Sequence, residues 1–525
     1  MDALVAELET LHSHLRTTQA YRDSEAKPSL LLDAVEKNAL TQVMSYYRGD
    51  ALSTLAAVSP CARLCSEIAS NGRRRTNLHI PLNCDAFLHE LQYNFKALQP
   101  VSNISWWLER CPLSIRAKDA DALNELLTAS PAVHEKLKSL YIGKREMNTS
   151  VPVNVLHQLE ELSVSGDAAL LRAVDASQLT ELRTLRLYKC AEDTYAILCR
   201  IPSLQSLFIE GLEMSTPSMH EMAFAKSLVQ LTVTTSTLGS INGFEVCANL
   251  HHVRFHYCSG MEALSSLAAA PHLWTITGQS IGVHQLRGLA MCPELEVLEL
   301  SSCKSLRRLS SLSGATHLKR ISVQGSDVDD ISGLAACLLL ETINLSGCAH
   351  LTSLSPLSGA PRIRHIYAAG TGVRDVSGLA SCPLLEVLDV SYCENLSSLA
   401  CLAECPHLKQ LLAAGSGVSV IDGLATCPEL TSVDFTGCYN LSSLSALAGA
   451  PKLAKVVAPR SAVNNIDNIG KCPELESVDL KYCKNLQSLA PLVGAPKLGL
   501  IIAARKSLTN AMCPEELLPL IKEKA

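Results

Sequence analysis

The residues with the most chemical potential in this 525-residue chain are its 21 cysteines and 16 histidines. Cys247, Cys292, Cys337, Cys382, Cys427 and Cys472 stand 45 residues apart. Cys258, Cys303, Cys348, Cys393, Cys438 and Cys483 keep the same interval, each 11 residues behind its partner. A structural zinc site needs four nitrogen or sulfur ligands converging on one ion, with close ligand pairs such as Cys-x-x-Cys. No Cys-x-x-Cys occurs. If each 45-residue block holds two stacked layers, equivalent thiols lie ~10 Å apart, beyond zinc reach and beyond the ~7 Å Cα limit for a disulfide. Cys61 and Cys65 are one helical turn apart but lack further ligands. The histidines are scattered, with no His-Glu-x-x-His. Gly370-Thr371-Gly372 and Gly415-Ser416-Gly417 have the flavour of phosphate loops, but lack the lysine and recur as turns. Asp330 and Asp375 fall where a turn needs a cap. No nucleophile–base constellation emerges, so the chain reads as a non-enzyme with no catalytic residue, metal or cofactor.

The elements that carry these residues must explain the periodicity. Hydrophobic residues make up 47% of the chain and aromatics only 4%, which suits thin repeated layers filled by aliphatic side chains. The net charge of -6 argues against nucleic-acid binding. No run of 18 apolar residues is present, which predicts no membrane span. The start, MDALVAELETLHSHLR, lacks a signal-like apolar core. These features predict a cytoplasmic chain with reduced thiols, its cytoskeletal or nuclear association left open.

One 45-residue block, CPELEVLELSSCKSLRRLSSLSGATHLKRISVQGSDVDDISGLAA, contains two similar halves. The first, LxxLxLxxCxxLxxLxxL from Leu295, runs 23 residues, and the second, from Leu318, runs 22. Frame starts follow at Leu137, Leu159, Leu182, Leu204, Leu228, Leu250, Leu273, Leu295, Leu318, Leu340, Ile363, Leu385, Leu408, Leu430, Leu453, Leu475 and Leu498, 17 coils in all. This pattern resembles the leucine-rich-repeat family over about seventy per cent of the chain. The 22-residue halves resemble short bacterial repeats, and the 23-residue halves the cysteine-containing repeats of F-box proteins. The resemblance implies an α/β fold: a leucine-rich-repeat solenoid with a parallel concave sheet. In LELSSC, Leu298 and Leu300 should alternate inward on a strand, with Cys303 packed as a small hydrophobe and Leu306, Leu309 and Leu312 returning to the same core. Coils this short leave room only for extended or 3₁₀ segments on the convex side. At ~4.8 Å per strand the stack should span about 80 Å.

The predicted organisation is a helical N-terminal domain over 1–75, a transition and cap with irregular repeats over 76–136, the solenoid over 137–511 and a capping helix over 512–525. Leu78-His79-Ile80 reads as a strand. Residues 38–70 resemble a degenerate F-box through Leu40, Val43, Met44 and Tyr46, then Leu52 and Leu55. That resemblance implies docking to a ubiquitin-ligase adaptor. The Leu-Pro opening is absent, however, and a plain helical cap explains the same pattern.

In each frame the third, fifth and seventh positions should face outward on the sheet. Fifth positions of the 23-residue halves read Glu299, Asn344, Asp389, Asp434 and Asp479; those of the 22-residue halves include Tyr367, Leu412, Val457 and Ile502. The alternation predicts acids interleaved with an apolar band, flanked at third positions by Arg320, His365 and Lys455, with Tyr392 and Tyr482 as rim anchors. Such a surface suits a protein partner with apolar anchors and basic flanks. The earlier coils, with Arg186, Tyr188, Phe208, Arg254 and His256, read as more basic and aromatic. Function is therefore expected to be that of a protein-interaction scaffold. Two alternatives are a substrate receptor of a cullin-type ubiquitin ligase and a structural subunit of a cytoskeletal or ribonucleoprotein assembly.

Overall fold

The computed structural model describes residues 78–81, 113–117, 137–142, 157–165, 175–189, 194–211, 213–214, 217–239, 241–503 and 513–522. The F-box-like segment, with Leu40, Val43, Met44, Tyr46, Leu52 and Leu55, lies outside the described residues, as do the helices expected in 1–75. The chain divides into two compact units, one up to Glu213 with Glu221–Leu228, the other Met214–His220 with Val229 onward.

In the first unit, strands Leu78–Pro81, Leu113–Ala117, Leu137–Ile142, Glu161–Ser165, Thr184–Tyr188 and Ser206–Glu210 pair in parallel, in chain order. Two of these strands precede the first frame start. Register aligns Ile80 with Ile115 and Ile115 with Leu140, so these coils are 35 and 25 residues long. Their excess length, and Asn77 and Pro112 where a leucine would open the frame, hide them from a periodicity search.

In the second unit, four five-residue strands, Gln230–Thr234, His252–His256, Thr275–Gln279 and Val297–Ser301, lead into three-residue strands from Arg320–Ser322 to Leu500–Ile502. Each pairs in parallel with the next. Every one of the 17 frame starts opens a coil with such a strand at its third to fifth positions. Parallel neighbours need a crossover, which here is the return side of the coil, built from 3₁₀ segments such as Ser310–Leu312, Leu334–Ala336 and Ser355–Leu357. Isolated bridges, among them Arg308↔Asp330 and Ser353↔Asp375, link the return sides.

The core follows the frame. Leu298, Leu300, Cys303, Leu306, Leu309 and Leu312 are all fully buried. Each buried leucine is worth about 1.5–3 kcal/mol, but only because the next coil covers it. From Cys303 to Cys483 the ninth position alternates cysteine with buried serine or threonine. Thr371 Oγ1 lies 3.2 Å from Cys393 Sγ, and Ser416 Oγ 3.5 Å from Cys438 Sγ. Cys393 and Cys438 also donate to Ala368 O and Ala413 O, at 3.2 and 3.1 Å. The thiol thus serves as a weak donor to a carbonyl of the preceding coil, 25 residues earlier, as its small size allows.

One backbone regularity is invisible in residue types. From Lys189 to Tyr482 the eighth position of each coil has positive φ, whether it is glycine (Gly370, Gly415) or not (Tyr257, Ser302, Tyr392, Arg460). The strand must turn sharply there to begin the return side.

The C-terminal end differs from the expected helix. Glu515–Leu520 is a 3₁₀ segment with Leu517 buried, and Ile521–Lys522 adds a parallel strand to Leu500–Ile502. Pro519 within the segment removes a backbone donor, which disfavours an α-helix.

Candidate protein-binding face

Strand alternation places the fifth position of every coil on the solvent side of the sheet. In the second unit, register aligns Asn344, Tyr367, Asp389, Leu412, Asp434, Val457, Asp479 and Ile502 as one row, each the direct partner of the next. Lys522 of the terminal strand closes that row beside Ile502. Every member from Asn344 to Ile502 is partly buried, and Lys522 is exposed. The third-position row runs from Arg320 through Thr342, His365, Val387, Gln410 and Ser432 to Lys455. Arg320 and Lys455 are exposed, and His365 Nδ1 lies 3.3 Å from Thr342 Oγ1. Glu299 stands in the fifth-position row three strands before Tyr367, ~14 Å away at the spacing of a sheet, so it is remote from the apolar members.

The carboxylates are not idle. Asp389 Oδ1 accepts from Ser391 N at 3.0 Å, Asp434 Oδ1 from Thr436 N at 2.8 Å and Asp479 Oδ1 from Lys481 N at 3.0 Å. Asn344 Oδ1 accepts from Ser346 N in the same way, at 3.0 Å. One oxygen of each acid therefore holds the turn that leads into the left-handed eighth position. The fifth positions thus face outward, as expected, and also hold the backbone of their own turns. A short Asx side chain suits the turn, and only the charge distinguishes Asp389 from Asn344.

Tyr392 and Tyr482 leave the strands on the rim, 67% and 43% exposed, with φ of 59° and 64°. The Tyr482 ring has Lys481 Nζ 5.0 Å and Arg460 Cζ 5.6 Å from its centroid, within cation–π range. Tyr439 is 75% exposed and was not singled out by frame position.

On the edge beside the face, Glu386 bridges Arg364 and Lys409, and Glu296 binds Lys319 at 2.7 Å. The lysine bonds, together with Arg364 for Glu386, hold both glutamates below the ordinary carboxylate range. The turn caps of Asp330 and Asp375 are present: each Oδ1 accepts from a backbone N two residues on, at 2.8 and 2.9 Å.

Among the described residues no cluster of three or more His, Cys, Asp or Glu could hold a metal ion, and every cysteine is a free thiol. The two-coil separation of thiols has one exception. Cys405 stands between Cys382 and Cys427, and the three Sγ atoms donate to Leu357 O, Leu379 O and Leu402 O on successive coils. Sister coils have alanine there, as at Ala360 and Ala450, so Cys405 escapes the 45-residue pattern. Burial pushes the Cys405 thiol up to about 12 and that of Cys427 to about 11.

In the first unit the face is aromatic. Tyr188 and Phe208 rings lie 5.2 Å apart, and Arg186 pairs with Glu161.

No protein-family model and no curated protein matches the chain. Solved structures do. A TLR13–ssRNA13 complex aligns over 75% of this chain at 16% identity and a TM-score of 0.54. Toll from Drosophila, in its glycosylated complex with Spatzle, aligns over 77% at 13% identity and a TM-score of 0.59. The Leptospira interrogans LRR protein LIC12759 aligns over 83% of this chain and 99% of its own at 13% identity and a TM-score of 0.44. The chain spans 64% of the TLR13 chain and 59% of the Toll chain. At these identities the likeness speaks to fold. The fold is a leucine-rich-repeat solenoid. Among the described residues no helix is long and apolar enough to cross a membrane.

Proposed function

We propose that this chain is a non-enzymatic interaction scaffold whose strand face from Tyr367 to Ile502 captures a protein segment with apolar anchors and basic flanks. The observation that carries this reading is the unbroken register row in which Tyr367, Leu412, Val457 and Ile502 alternate with Asp389, Asp434 and Asp479. Apolar side chains in line on a solvent face exceed what strand propensity requires, and the acids between them select cations. Tyr392 and Tyr482 stand where rim anchors would meet such a segment.

The test is a triple variant, Leu412→Ser, Val457→Ser and Asp434→Asn. Asn keeps the Oδ1 acceptor for Thr436 N, so the turn survives. The expected result is loss of the captured partner at unchanged circular dichroism and unfolding midpoint. Undiminished recovery of the same partners, identified by mass spectrometry at native expression level, would sink the reading.

The F-box resemblance of residues 38–70 supports a second reading, a substrate receptor of a cullin-type ubiquitin ligase. It expects adaptor and cullin to co-purify with the full chain and to be lost on Leu40→Ala with Leu52→Ala.

A further inference from the structure

We propose that the strand His252–His256 forms a second docking site, separate from the acidic row, for an acidic protein segment in extended conformation. Val253 and Phe255 are buried, so His252, Arg254 and His256 share the solvent face of one strand. Alternate residues on a strand lie ~6.7 Å apart, the interval at which an extended segment repeats its own same-side carboxylates.

The neighbours are uncharged. Gln230, Thr232 and Thr234 lie in register on one side, and Thr275, Thr277 and Gln279 on the other. These side chains offer hydroxyl and amide donors but no carboxylate. Arg254 is exposed and, among the described residues, has no acid within 4.0 Å, whereas Lys319, Arg364 and Lys409 on later coils are paired. The nearest acid in its row is Glu299, two strands away. His256 Nδ1 is shielded from solvent and has no hydrogen-bond partner among the described residues, which leaves the outer edge of the ring for a ligand.

Two aromatic residues bracket the cations. Trp274 is 46% exposed with its ring 6.1 Å from that of His252. Tyr257 is 53% exposed at φ 55°, a left-handed conformation that a side-chain-bearing residue adopts at a cost of about 1 kcal/mol. That φ is common to every eighth position from Lys189 to Tyr482, so it is the exposed ring alone that sets Tyr257 apart beside the strand.

Protonation should be coupled to docking. Burial, then His251 and Arg254, lowers the His252 imidazole below its ordinary range; burial and Arg254 do the same for His256. The other titratable groups nearby are His251, His272, whose Nδ1 lies 3.0 Å from Glu294, and Glu299 beyond Thr277. An arriving carboxylate raises both imidazoles from their lowered positions, so docking takes up protons and tightens as pH falls through the histidine range.

The experiment is fluorescence anisotropy of the full chain with labelled peptides of alternating Glu and Thr, alternating Lys and Thr, and a single-stranded RNA oligonucleotide. The expected result is binding of the acidic peptide, weakened at least about tenfold by Arg254→Gln. His252→Gln with His256→Gln should remove the pH dependence. The triple variant at Leu412, Asp434 and Val457 should bind it unchanged, which separates this site from the acidic row. Absence of acidic-peptide binding, preference for RNA or for the basic peptide, or equal affinity of Arg254→Gln would overturn the proposal. So would a dimer in sedimentation dissolved alike by Arg254→Gln and Asp434→Asn, which would make a second copy the occupant.

Discussion

The ring of Tyr392 lies across Gly415: a Cβ placed on Gly415 would meet Tyr392 Cδ1 at 2.7 Å. Both are eighth residues of adjacent coils, with φ of 59° and 66°. Gly415 is thus required twice, for its left-handed backbone and for the room it leaves the tyrosine. Gly415→Ala should destabilise the second unit by about 1–3 kcal/mol and displace the ring. Tyr392→Gly should relieve backbone strain by up to about 1 kcal/mol while weakening partner capture. Urea unfolding read beside affinity capture separates the two effects; a Tyr392→Gly chain with full capture would remove Tyr392 from the binding face.

The acids of the fifth-position row combine a turn cap with a charge, and substitutions can divide the two. Asp389→Asn should leave stability unchanged, since Asn344 already makes the same bond. Asp389→Ala, losing the acceptor for Ser391 N, should cost about 1 kcal/mol. Equal unfolding midpoints for the two variants would show that the cap contributes nothing.

Acid should loosen the stack. The bonds to Ser332 and Ser377 hold Asp330 and Asp375 below the ordinary aspartate range, and Lys409 foremost, with Arg364, does so for Glu386. A depressed folded-state pKa means the contribution is complete above the unfolded value, near 4, and is lost as pH falls through the folded one. Stability should therefore decline below about pH 4, and Asp330→Asn with Asp375→Asn should flatten that decline in denaturant titrations. An unchanged slope would show that these caps are not linked to folding.

The buried thiols should be inert. With Cys405 pushed up to about 12 and Cys427 to about 11, alkylation at pH 8 should spare both in the native chain. Among the described cysteines, Cys199, Cys401 and Cys513, only partly buried, should label first. Cys405→Ala should change stability by less than about 1 kcal/mol, because Ala315, Ala360 and Ala450 fill the same place in sister coils. Peptide mapping by mass spectrometry reads the labelling, and early modification of Cys405 would contradict its burial.

The terminal strand should matter for solubility. Deleting 513–525 bares the paired edge of Leu500–Ile502 and uncovers the contact of Leu517. Unpaired edges recruit other strands, so light scattering should show aggregation that the full chain lacks. A monodisperse truncated chain would show that the edge needs no cover.

Much of this architecture was legible from residue types, because a repeat states its rule many times. Leu298, Leu300 and Cys303 declare one inward face, and the 22- and 23-residue spacing repeats it until the stack and its open row follow from arithmetic. The alternation of Asp389, Leu412, Asp434 and Val457 could be written down before any strand was seen. Coils that break the spacing could not: Ile80 and Ile115 are in register only because the sheet pairs them, across 35 residues. Nor could the terminal strand at Ile521, whose short apolar run reads as helix until Pro519 and the open edge decide otherwise.

Periodic leucines determine that layers stack and which side chains they hide, since burial depends on spacing alone. The tertiary structure alone decided what the remaining side chains do. The hydrogen bond from Ser391 to Asp389, the ring of Tyr392 on Gly415 and the insertion of Cys405 between two thiols depend on backbone torsion and on the neighbouring coil. The first is a turn within one layer and the other two are relations between layers, and residue types alone contain neither.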